Sequence, residues 1–92
     1  MNKKYKNVFN ALEKDPAVAK NLFIRSRLMI EIREYIQKNK LTQKEASIKT
    51  GVTQPRISDL MRGKIDLFTI DTLVSMLEKL GIDVDVTLTR AA

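Results

Sequence analysis

Residues 42–62 read Thr42-Gln43-Lys44-Glu45-Ala46-Ser47-Ile48-Lys49-Thr50-Gly51-Val52-Thr53-Gln54-Pro55-Arg56-Ile57-Ser58-Asp59-Leu60-Met61-Arg62. Two short helices joined by a glycine corner fit this stretch. Thr42 caps the first, and Glu45 three residues later completes a capping box. Ala46, Ser47 and Thr50 share the side that faces the second helix, and a small residue at Ser47 lets two backbones approach closely. Gly51 stands where a left-handed backbone is needed, which glycine adopts without steric cost. Val52 plugs the corner, Thr53 caps the next helix, and Pro55 fits its first turn, where no amide hydrogen is needed. Ile57 and Leu60 point inward, and Gly63 ends the helix. Such a pair predicts a second helix that projects into the major groove of double-stranded DNA.

The polar residues of that helix suit the task. A carboxamide such as Gln54 can bond adenine through two hydrogen bonds, and Arg56 can do the same with guanine. Ser58 is short enough for a base or a phosphate, and Thr53 lies at the same helix end. Gln43, opening the preceding helix, is better placed for the sugar–phosphate backbone. Lys44, Arg62 and Lys64 are candidate phosphate contacts that position the domain without reading sequence. The plain alternative for each is a solvated surface side chain.

The run Leu41-Thr42-Gln43, the stretch from Gly51 to Leu60, and Gly63 together resemble the Cro and lambda-repressor-type family, also called XRE. The continuation Ile65-Asp66-Leu67-Phe68-Thr69-Ile70-Asp71-Thr72-Leu73-Val74, ending in Leu80-Gly81, resembles its small HigA-like antitoxin branch and related phage regulators. The resemblance runs over roughly residues 7–90. It implies an all-α, five-helix domain in which Gln54 contacts a base and Gln43 the backbone. It also implies a repressor that controls its own operon, with a small RNA-cleaving toxin as partner. One departure is the polar pair Lys49-Thr50, where family members often carry leucines, and this predicts slightly looser packing.

Around the motif the chain divides into three parts. Residues 1–15 form an amphipathic segment, with Tyr5, Val8, Phe9 and Leu12 at helical spacing. Residues 16–81 form the DNA-binding domain. Within it Asp15-Pro16 starts a long helix over 16–38, whose stripe runs Val18, Leu22, Arg25, Met29, Ile32, Ile36 and which Asn39-Lys40 closes. Leu67 and Phe68 plug the core, and Thr69 or Asp71 caps a last helix to Leu80.

Residues 82–92 are the third part, and Ile82-Asp83-Val84-Asp85-Val86-Thr87-Leu88-Thr89 alternates with period two. That pattern predicts a β-strand. No second strand is evident to pair with it, and a lone strand exposes an edge. The expected solution is an antiparallel ribbon with the same segment of a second copy, using Ile82, Val84, Val86 and Leu88. The homodimer would set two recognition helices about 34 Å apart on a palindromic operator.

Composition bounds the alternatives. Ninety-two residues, 43% of them apolar, support one compact domain. Net charges of +6, +3 and −3 fall on residues 1–40, 41–64 and 65–92, so the motif lies in the basic part, as a phosphate-facing surface should. With no cysteine and no histidine, the commonest metal ligands and general bases are missing, and the chain suits a reducing cytoplasm. Glycine at 51, 63 and 81 alone makes no phosphate-binding loop. These features argue against an enzyme and against a cofactor or metal. The Met-Asn-Lys-Lys start has no apolar stretch behind it, and no segment is apolar enough to span a membrane. Two other readings stay open: a phage-type regulator without a toxin, and a protein-interaction module that has lost DNA binding.

Overall fold

A side-chain oxygen closes the start of every α-helix in residues 14–91, the part of the chain that the computed structural model describes. The helices are α1 (Pro16–Lys38), α2 (Gln43–Thr50), α3 (Gln54–Met61) and α4 (Ile70–Lys79), with a short 3-10 turn over Ile65–Leu67. Asp15 Oδ1 accepts from the Ala17 amide at 2.9 Å, and Thr69 Oγ1 from Thr72 at 3.2 Å. At α2 the capping box is complete: the Glu45 amide donates to Thr42 Oγ1 at 3.0 Å, and the Thr42 amide to Glu45 Oε1 at 2.8 Å. The hydrogen bond from the Thr42 backbone amide holds the Glu45 carboxyl below the usual carboxylate range, with Thr42's side chain adding to it. Each cap satisfies a helix-start amide that would otherwise lack a partner.

The C-terminal ends follow a common scheme. At α1, α3 and α4 the second residue past the cap bonds back five residues: Leu41 to Ile36, Lys64 to Asp59, and Ile82 to Leu77. Lys40, Gly63 and Gly81 make the inner bond of each pair, to Gln37, Leu60 and Glu78. All three have positive φ, the backbone this double closure requires. Apolar contacts accompany two of the closures, because Ile36 and Leu77 are buried and Leu41 and Ile82 pack against the core.

The core is built from the inner faces of all four helices. Met29, Ile32 and Ile36 come from α1, Ala46 from α2, Ile57 and Leu60 from α3, and Leu73, Met76 and Leu77 from α4. Phe68, 2% exposed, fills the gap between α3 and α4 in sequence. Leu67 departs from expectation and is 47% exposed. The 3-10 turn sends these adjacent side chains in different directions, so only one can enter the core. Val18, at the start of the α1 stripe, is also exposed, and Ala19 is buried in its place.

Two larger corrections concern the ends of the chain. The described residues contain four α-helices rather than five, since the helical spacing at Tyr5–Leu12 lies outside them. Residues 82–89 form no strand. Alternation specifies two faces, but a strand exists only as part of a ladder, and none forms with the tail among the described residues. Its amides turn to side chains instead: Val84 donates to Glu78 Oε2 and Val86 to Asp85 Oδ1. Ile82 and Val84 rest against the core, whereas Val86 and Leu88 face solvent.

Lys40 closes α1 with φ 53°, the one non-glycine positive φ among the described residues. An L-residue there carries roughly 1–2 kcal/mol of steric strain, and glycine's greater freedom in the unfolded chain offsets roughly half of it. Lys40→Gly is therefore expected to stabilise the fold by about 0.5–1 kcal/mol, read as a higher urea midpoint at unchanged slope.

Candidate nucleic-acid interface

The α2–α3 pair is locked at its corner by small and satisfied groups. Ala46 is fully buried where the helices meet. Gly51 ends α2 in the left-handed region at φ 77°, as its position in the motif requires. The Ser47 hydroxyl donates to the Val52 carbonyl and holds the turn closed. Thr50, polar where an apolar residue was expected, is 1% exposed and fully paired. Its hydroxyl donates to the Ala46 carbonyl at 2.7 Å and accepts from the Val52 amide at 3.5 Å. The polar substitution is therefore part of the turn, and no buried side-chain polar atom among the described residues lacks a partner.

Burial divides α3 into faces. Ile57 and Leu60 are buried, which sets the inward direction. At about 100° per residue, Pro55 and Arg62 fall almost opposite, with Asp59 close beside them. Gln54 and Ser58 flank this stripe on one side and Arg56 on the other. Gln54 is exposed and Ser58 half-buried, both at the open side of the helix. Thr53 caps α3 by accepting from the Arg56 amide at 3.4 Å, so its oxygen serves the helix end. Gln43 and Lys44 are exposed in the first turn of α2, and Lys64 is exposed beyond α3.

Arg56 is placed differently from the other candidates. Its guanidinium donates to the Leu67 carbonyl at 3.3 Å and lies 5.8 Å from the centre of the Phe68 ring. It is therefore folded along the helix toward the 3-10 turn and away from the outward stripe. Arg25 reaches the same turn from α1, donating to the carbonyls of Ile65 at 3.2 Å and Phe68 at 3.4 Å. The Asn21 carboxamide fixes Arg25 from behind at 2.7 Å. An arginine within the apolar stripe of α1 thus has a clear reason: it gives the Ile65 carbonyl a second donor beside the Phe68 amide and also reaches the Phe68 carbonyl.

Asp59 is a site residue absent from the sequence-based candidates. Its Oδ1 lies 3.0 Å from the Arg62 guanidinium and 3.7 Å from Lys64 Nζ. The back-bonded end of α3 produces this cluster, because the Lys64 amide bonds the Asp59 carbonyl at 3.0 Å and turns the chain back beside it. An acid three residues before Arg62, four after Pro55, was a visible signal of a shared outward face.

Four helices, a glycine-cornered pair with a free outer face, and a basic surround define a helix-turn-helix DNA-binding protein. The chain belongs to the helix-turn-helix domain family, which matches residues 9–89. No curated protein matches it. Among the described residues no helix is long and apolar enough to cross a membrane.

Truncating Arg56 should act first on stability. An exposed cation–π contact and one hydrogen bond contribute on the order of 1 kcal/mol together. Arg56→Ala is expected to lower the thermal midpoint accordingly, whereas Gln54→Ala should stay within about 0.5 kcal/mol of wild type. Differential scanning calorimetry of the two variants checks the contrast.

Proposed function

We propose that this protein is a non-enzymatic, sequence-specific regulator that binds a palindromic operator as a homodimer and represses its own operon. The observation that carries the reading is the outer face of α3, which keeps Gln54, Ser58, Asp59 and Arg62 together and leaves the core to Ile57 and Leu60. Lys44 and Lys64, both exposed, supply cations for phosphates beside that face.

Support for the dimer comes from the tail. Val86 and Leu88 are 72% and 88% exposed, on a segment whose residues 83–91 make no backbone–backbone hydrogen bond with the described residues. A second copy of the same segment would bury those side chains and pair those amides. The antitoxin role rests on the resemblance described above, and its partner would be a small RNA-cleaving protein encoded beside this gene. That partner could use the same exposed edge by strand addition.

Binding to the DNA upstream of the gene, compared with scrambled DNA across a salt series, tests the central claim. A preference of about a thousandfold or more is expected; equal, steeply salt-dependent binding to both would reduce the protein to a phosphate binder. Removal of residues 82–92 should separately convert a dimer to a monomer in sedimentation equilibrium at low micromolar protein. A truncated chain that stays dimeric refutes the role of the tail.

A further inference from the structure

We infer that Asp59 and Arg62 act as one unit that reads a G·C base pair, with Asp59 accepting from cytosine and Arg62 donating to guanine. The inference rests on the DNA-binding reading and assigns it a base-pair preference. Asp59 is the only acidic residue between positions 46 and 65, and it lies on the outward stripe of α3. A carboxylate on the face that approaches a polyanion weakens binding unless a base donor rewards it. Cytosine presents such a donor, its N4 amino group, in the major groove, and guanine opposite presents the two acceptors O6 and N7. Thymine offers a carboxylate only an acceptor and a methyl group.

The geometry of the cluster suits both halves of that pair. Among the described residues the hydrogen bond from Arg62 and the approach of Lys64 are both to Oδ1, and none is to Oδ2. One carboxylate oxygen therefore aims the guanidinium while the other stays available. The Arg62 side chain is 60% exposed and that of Asp59 20%, so the arginine extends past the acid that orients it. Arg56, the other arginine of the helix, is engaged with the Leu67 carbonyl, which leaves Arg62 as the guanine reader. Lys64 offsets the charge of Asp59 against neighbouring phosphates.

The test is selection from a randomised duplex library with the full-length wild-type chain and with Asp59→Asn, Arg62→Gln and Lys64→Gln. Circular dichroism and melting confirm that each is folded, as expected for ion pairs whose basic partners are exposed and which are of small worth. Asp59→Asn and Arg62→Gln should relax the same G·C column of the recognised motif by about five- to a hundredfold. Asp59→Asn, having lost an anion, should also bind scrambled DNA more tightly. Lys64→Gln should weaken all sequences alike and reduce the salt dependence by about one phosphate. A wild-type motif that survives unchanged in both Asp59→Asn and Arg62→Gln overturns the inference and leaves the DNA-binding reading intact. A wild-type chain that enriches no sequence overturns both.

Discussion

The close contact of α2 with α3 is the constraint on which the rest of the protein depends. Two helices of eight residues are too short to be stable alone. They persist because Ala46, Ile57 and Leu60 join one core with α1 and α4. The corner then has little freedom: a left-handed Gly51, a buried and bonded Thr50, and Ser47 tied to Val52. Lys79 from α4 closes over the same corner, its amine 3.0 Å from where a Gly51 side chain would begin. The pose of α3 is thereby inherited from the core, which fixes the direction of its outer face.

A second organising element is the short turn after α3. Arg25 and Arg56 converge on it from opposite sides in sequence, adding donors to the carbonyls of Ile65, Leu67 and Phe68. The turn joins α1, α3 and the anchoring Phe68. It also fixes where Lys64 leaves the helix. Arginine suits this work because its planar, multi-donor head can serve several acceptors without losing its charge. Two cations are thus spent on structure in a strongly basic chain, and the outward cluster of Arg62 and Lys64 gathers around a single acid.

The tail shows a different balance. Ile82 is fastened to the end of α4 by its bond to Leu77, and Val84 by its bond to Glu78. Beyond that point apolar side chains alternate, and Val86 and Leu88 are exposed. Residues 65–92 carry net negative charge while the motif is positive, so the tail lies in the acidic part of the chain. In the proposed dimer, pairing of this segment would set the spacing of the two α3 helices without occupying either.

Much of this architecture was legible in the amino acids. Asp15-Pro16, Thr42 with Glu45, Thr53 with Pro55, and Thr69 mark helix starts through contacts a few residues long, and the observed helices begin there. Gly51 marks the corner for the same local reason. Spacing along α3 also separated its buried residues from its exposed ones. Tertiary structure alone decided which of Leu67 and Phe68 turned inward, because local pattern does not specify direction once a helix has ended. It decided as well that Arg56 meets a carbonyl eleven residues away and that Arg25 reaches one forty residues away. Strand formation in the tail belongs to the same category: alternation is written in one chain, but the hydrogen-bonded partner that makes a strand must be supplied in space.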